Sequence, residues 1–386
     1  MVCANSSTTP TSTPSLRRGH CSARTVCRKP RLSSMSPSPA AHYCRSSPPT
    51  ATSVRQDVCR CTSITGVTRS ICRHWSCSSN AICNTTYIVP MTDIIDTHQH
   101  LWDLDRFRLS WLAGLDALDR SFTHHDYAAA TQGLGVVRSV YMEVDVSDDQ
   151  RREEVDYVVG LCANPTLPTV AAVVSGRPAE AGFGDWVRGL LTHAVVKGVR
   201  QVLHVPDAVR GTCLQTDFIN GIRLLGEAGL RFDVCLRPGE LVDAEKLAGA
   251  CPDTLLILDH CGIPNPNIVA GITEPDGGPM SHTADGWRRS IDEISERSNV
   301  ICKISGIAAA AGDTDNLAEL LAPTINHCLD AFGPDRVVFG GDWPVCTLGA
   351  TYAEWVTALH AVIAERPADQ QSRLLHDNAA RLYALD

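Results

Sequence analysis

Residues 93–103, Asp93-Ile94-Ile95-Asp96-Thr97-His98-Gln99-His100-Leu101-Trp102-Asp103, decide the fold. A short β-branched run leads into two histidines spaced i, i+2. Side chains alternate across a strand, so both imidazoles project from the same face at its C-terminal end. Seven more short apolar runs follow, giving predicted strands at 93–97, 136–144, 169–175, 196–204, 230–236, 254–259, 299–305 and 336–341. Longer helical stretches separate them, the pattern of βα units around a parallel sheet. Leu255-Leu256-Ile257-Leu258 is apolar on both faces and needs cover on both sides. Eight such units predict an α/β fold, a (β/α)8 TIM barrel with parallel strands over residues 91–386. An open doubly wound sheet is the alternative, but no glycine-rich dinucleotide fingerprint follows the first strand.

Helices are expected at 148–163, with Ser147 as N-cap and Asp148 and Asp149 in the first turn, where negative charge suits the helix dipole. Others are expected at 216–228, closed by Gly229, and at 243–250, 285–298 and 315–332, with closing helices at 352–364 and 369–383. Residues 262–282 hold four prolines and four glycines without periodicity, and read as an active-site loop after the sixth strand.

In a barrel the C-terminal strand ends form the catalytic face, so position counts as much as residue type. His98 and His100 end the first strand there. His260, in Asp259-His260-Cys261-Gly262-Ile263-Pro264, ends the sixth and is the candidate third imidazole; Asp259 is expected to face the other way and fix structure. Asp342 follows Gly340-Gly341 at the end of the eighth. A carboxylate at the rim beside imidazoles can take a proton from water. The competing readings are bland ones: a strand-end histidine bonded to a carbonyl, or Asp342 as the cap of the next helix. Against the latter, Trp343-Pro344 delays helix entry and Ala350 or Thr351 makes a better start. Strand-end geometry adds Glu143, Arg200 or His204, Lys303 and Ser305, with Trp102 and Trp343 beside the histidines and the acid. Arg200 is suited to gripping a substrate carboxylate bidentately, with rim ion pairs and packing as the ordinary alternatives.

The net charge of −9 hides an asymmetry. Residues 1–90 hold eleven Lys or Arg against one acid, Asp57, for +10, and the remainder holds 23 basic and 42 acidic side chains, for −19. An acidic body repels polyanions, which excludes nucleic acid as its partner. No run of about 18 apolar residues exists to cross a bilayer. The eight cysteines after Met91 are scattered singly through apolar stretches, which fits a reducing, cytoplasmic setting.

The first ninety residues are rich in Ser, Thr, Pro, Arg and Cys, lack an apolar period, and are expected to be a disordered extension outside the barrel domain. Three origins stay open: a tail or weak organelle-targeting lead, a Cys/His metal module around Cys59, Cys61, Cys72, His74, Cys77 and Cys83, or translation beginning at Met91.

Four blocks occur together and in order: residues 95–103, the Asp-His-x-Gly-x-Pro block at 259–264, Lys303-Ile304-Ser305-Gly306, and Gly341-Asp342-Trp343-Pro344-Val345. Together they resemble the amidohydrolase-related family of the amidohydrolase superfamily, in the branch of sugar-acid lactonases and pyrone-dicarboxylate lactonase. The likeness covers nearly all of residues 93–386. It implies that His98, His100, His260 and Asp342 form the catalytic core, beside which strand-end geometry offers Glu143, Arg200, Lys303, Trp102 and Trp343 as substrate contacts. The implied reaction is hydrolysis of a small lactone of a sugar acid or dicarboxylic acid by Asp342-activated water. The fourth and fifth strands carry Arg200 and Asp233-Val234-Cys235 where metal-rich relatives carry bridging and histidine ligands, which argues against a dinuclear centre. One divalent ion, zinc or manganese, on His98, His100 and Asp342, and metal-free catalysis, both stay open. A zinc-dependent decarboxylase of an unsaturated acid and a non-catalytic binding barrel are the rival functions. The expected partner is a small molecule, with oligomeric state open.

Overall fold

The computed structural model describes residues 92–205 and 208–385. The readings made for residues 1–90 lie outside the described residues. Eight parallel strands run in sequence order: β1 (Ile94–Gln99), β2 (Val136–Met142), β3 (Thr169–Ser175), β4 (Val196–Val202), β5 (Arg231–Cys235), β6 (Leu256–Leu258), β7 (Val300–Ile304) and β8 (Val337–Phe339). β8 returns to β1 where Gln99 bridges Trp343, with the Asp342 amide donating to His98 O at 2.8 Å and the His100 amide to Trp343 O at 2.8 Å. The barrel therefore closes through the backbone of its own site residues.

Several strands stop short of their predicted C-terminal ends. β2 ends at Met142, β4 at Val202, β6 at Leu258 and β8 at Phe339. The residues beyond leave the ladder because the chain turns sharply there: Asp145, His260 and Asp342 have φ of 50°, 55° and 53°. These turns present loop side chains to the barrel mouth.

The helices are α1 (His124–Ala130), α2 (Arg151–Cys162), α3 (Phe183–Leu190), α4 (Thr216–Glu227), α5 (Leu241–Ala250), α6 (Pro266–Val269), α7 (Ala284–Ser295), α8 (Leu317–Phe332), α9 (Tyr352–Ile363), α10 (Ala368–Ser372) and α11 (Asn378–Tyr383). α1, α3 and the short α6 were not anticipated. The stretch predicted as one helix from 148 begins as a 3-10 turn, Asp148–Gln150, before α2. Thr351 caps α9 in a reciprocal box with Glu354, so the start of that helix does not employ Asp342. None of the described helices is long and apolar enough to cross a membrane.

Inside the barrel, Ile95, Val140, Val173, Ile257, Ile301 and Val338 make an apolar layer closed from below by Ala379, Tyr383 and Leu385 of the C-terminal segment. A larger core lies between strands and helices. The barrel floor is thus solid, and only the opposite end is free to hold a site.

Candidate active site

β1 delivers His98 and His100 to one point, with their Nε2 atoms 3.1 Å apart. Oδ1 of Asp342 lies 3.6 Å from Nε2 of His98 and 3.4 Å from Nε2 of His100. The His100 Nδ1–H donates to Met142 O at 3.0 Å, which leaves the Nε2 lone pair facing the triangle. A tetrahedral zinc with ligands at about 2.0–2.1 Å has ligand-to-ligand edges of about 3.3 Å, so this triangle of two imidazoles and one carboxylate fits one divalent ion.

His260 comes from the other side of the barrel, its ring centroid 4.5 Å from that of His98. Four successive residues, His260 to Ile263, all have positive φ and form a left-handed turn. The turn is held by the Trp287 indole, which donates to Cys261 O at 2.9 Å. His260 Nδ1 pairs with Ser305 Oγ at 2.9 Å, and the side chain lies close against Gly306, where a Cβ would stand 2.3 Å from Nδ1. Gly306 also has φ of 68°, so Gly306→Ala combines backbone strain with displacement of the ring. We expect that variant to lose at least about tenfold in kcat, measured beside its thermal midpoint; unchanged turnover would show that Gly306 does not fix His260. Burial lowers the basicity of His260, and burial with the Lys303 ammonium holds His98 well below the usual histidine range.

Asp259 does not face outward as expected. It keeps the inward parity of Ile257 two residues earlier, and the left-handed turn then swings His260 inward as well. The Asp259 carboxylate sits under the site, 2.9 Å from Lys303 Nζ, 3.5 Å from Arg200 Nη1 and 3.6 Å from His98 Nδ1. Lys303 also donates to Asp233 at 2.8 Å and reaches His98 Nδ1 at 3.2 Å. Arg200 spends one edge of its guanidinium on Glu143, with Nε donating to the carboxylate at 2.6 Å and Nη2 to the main-chain oxygen at 2.8 Å.

These pairings relocate most of the expected substrate contacts. A cleft of about 430 Å³ opens over the triangle, lined by His100, His260, Asp342 and Arg200 among others. Glu143 and Lys303 are fully buried behind it, held by their ion-pair partners. Trp102 is also fully buried, its indole donating to Arg120 O at 2.6 Å and its ring against Phe122. Trp343 packs on Phe122 and Tyr127. The tryptophan that does line the cleft is Trp111, oriented by donation to Val144 O at 2.8 Å. The loop after β6 contributes Asn265, Ile268, Asp276, Met280 and Ser281, as its composition suggested.

Asp96, quoted in the opening motif without a role, is a buried acceptor hub. Oδ1 takes the amides of His98 at 2.9 Å and Gly341 at 2.7 Å; Oδ2 takes the hydroxyls of Tyr127 at 2.8 Å and Tyr352 at 3.1 Å. It ties the end of β1 to the end of β8. A side chain on Gly341 would strike both Tyr352 and Asp96, at 2.3 and 2.5 Å.

A closed barrel with imidazoles and a carboxylate gathered at the mouth of a cleft defines a hydrolase of the barrel class. Residues 95–385 match the family described as Amidohydrolase, and the chain belongs to it. It is 28% identical over 302 residues to an L-fucono-1,5-lactonase of Burkholderia multivorans, covering 75% of this chain and 96% of that protein. The crystal structure of an amidohydrolase from Burkholderia multivorans with bound zinc is 25% identical and superposes with a TM-score of 0.67, over 76% of this chain and all of that one. At 14% identity, a probable 2-pyrone-4,6-dicarboxylic acid hydrolase from Acinetobacter baumannii with citric acid bound shares the fold, with a TM-score of 0.60 over 76% of this chain and 99% of that one.

Proposed function

We propose that the protein is a lactonase that opens a small, uncharged cyclic ester of a sugar acid. The observation that carries this reading is the Asp342 carboxylate, 3.4–3.6 Å from two imidazole nitrogens and lining the cleft. Asp342 accepts a proton from water as the water oxygen attacks the lactone carbonyl carbon. The carbonyl C=O becomes an oxyanion, which collapses with cleavage of the ring C–O bond. Asp342 returns its proton to the departing alkoxide, giving the open hydroxy acid. His260, held by Ser305 and Gly306, faces the developing oxyanion. His98, His100 and Asp342 would hold one divalent ion, which supplies Lewis-acid polarisation of the carbonyl.

Charge on the wall argues for an uncharged substrate. Arg200 is the only Lys or Arg among the described lining residues, and Glu143 and Asp259 already compensate it. The guanidinium edge formed by Nε and Nη2 is engaged by Glu143 rather than open to a substrate carboxylate. Asp145 and Asp276 line the same cleft and suit hydroxyl donors. A dicarboxylate would meet no uncompensated Lys or Arg among the described lining residues.

The test is turnover of aldono-1,5-lactones against dicarboxylate lactones, followed by acid release, with metal analysis of the same sample. We expect kcat/KM at least about 100-fold higher for the uncharged lactones. Equal or better turnover of dicarboxylates overturns the substrate class, and carbon dioxide release from an unsaturated acid without lactone hydrolysis overturns the reaction.

A further inference from the structure

Another imidazole lies on the cleft wall, and nothing in the chemistry above employs it. His204 follows the end of β4 and lines the cleft. Its Nδ1 stands 3.2 Å from Sγ of Cys235, the last residue of β5. Cys235 is buried, and burial holds its thiol far above the ordinary range, so the proton stays on sulfur. A protonated thiol beside an imidazole nitrogen donates to it, leaving the single ring proton on Nε2. The alternative tautomer sets an N–H against a weak sulfur acceptor and leaves the thiol proton without this partner. Nε2 of His204 has no protein hydrogen-bond partner among the described residues, and the side chain is half-buried where it lines the cleft. Burial, with His260 and Arg200 nearby, pushes the imidazole down to about 4, so the ring is neutral at pH 7.

We propose that His204 is a substrate-binding residue whose Nε2–H donates to a hydroxyl or ring oxygen of the lactone, in a tautomer imposed by the Cys235 thiol. The same cleft is rich in acceptors, with Asp145, Asp276 and Asp342 among its lining residues. A polyhydroxylated lactone carries acceptor oxygens that those carboxylates repel, and a neutral donor at a fixed place gives such an oxygen its partner. A fixed tautomer keeps the donor in position before substrate arrives.

The inference rests on the lactonase reading, and its test separates the two. With the best uncharged lactone, H204A is expected to raise KM about five- to tenfold, the worth of one neutral hydrogen bond, while kcat changes less than about threefold. H204Q, whose amide reaches the position of Nε2, is expected to recover most of that loss. C235S keeps a donor to Nδ1 and should resemble wild type; C235A should show a smaller rise in KM than H204A. In ¹⁵N-histidine NMR of the full chain at pH 7, the His204 signals, identified by their loss in H204Q, should report the Nε2–H tautomer in wild type and C235S, and a mixture in C235A. An unchanged KM in H204A, or an Nδ1–H tautomer in wild type, overturns the proposal. Wild type without activity on any lactone overturns the lactonase reading, and with it the substrate contact, while the NMR result still decides the tautomer.

Discussion

Asp342→Asn is expected to lower kcat by about 10³- to 10⁴-fold on the best lactone while leaving the thermal midpoint within about 2 °C. Proton transfer by a positioned side chain contributes about 10²–10⁴, and Asp342 serves twice, as base in the attack and as acid in ring opening, which places the loss toward the upper end. The carboxamide keeps the shape of the side chain but cannot accept the proton of water at neutral pH. The backbone makes this variant informative: Asp342 sits at φ of 53°, a left-handed conformation that Asn tolerates as well as Asp, and its amide still donates to His98 O. The closure between β1 and β8 is thereby preserved. Initial rates and circular dichroism melts on the same preparation check both halves. Residual activity above about a tenth of wild type would remove Asp342 from the proton-transfer role.

The strands were legible because each is a short apolar run between polar loops; β3 occupies the range read from the sequence, 169–175. The four polar residues at the mouth were legible for the same reason, since each ends a strand where the chain must leave the sheet. Asp259 was misread because strand parity was applied to His260 as though it were still in the strand. The left-handed turn that begins there is held by contacts from distant residues, Trp287 on Cys261 and Gly306 against His260, which a linear pattern does not encode. α1 had a readable start in the Thr123–Asp126 capping box, but it is only seven residues long. α3 begins after Gly182 with no side-chain cap, so no polar start signal exists for it. The partners of Lys303 and Glu143 lie across the barrel, at separations set by strand tilt, which a linear pattern does not encode. Trp102 and Trp111 differ in the same way: the residue adjacent to the motif became packing, and the one nine positions on became wall.

Lys303→Met is expected to cost about 3–5 kcal/mol of stability, the usual penalty for removing one partner of a buried ion pair. Lys303 is fully buried and lies between Asp233, at 2.8 Å, and Asp259, at 2.9 Å, both also fully buried. Its ammonium holds Asp259 well below the usual carboxylate range, while burial and the neighbouring Asp259 charge push Asp233 up to about 7. One lysine thus supports one full carboxylate and part of a second, with Arg200 too far, at 3.5 Å, to replace it fully. Methionine matches the length of the stem but leaves the buried Asp259 charge with only the longer Arg200 contact among its cationic partners. For a domain of this size, about 2–4 °C per kcal/mol predicts a fall in thermal midpoint of roughly 6–20 °C. Adding Asp233→Asn and Asp259→Asn removes the stranded charge and is expected to recover at least about half of the loss. A substrate contact behaves differently: if Lys303 touched the lactone, Lys303→Met would raise KM with the midpoint unchanged. Unfolding midpoints of the single and triple variants, beside KM where activity persists, distinguish the two, and a loss below about 1 kcal/mol would show that the layer under the site does not depend on this ammonium.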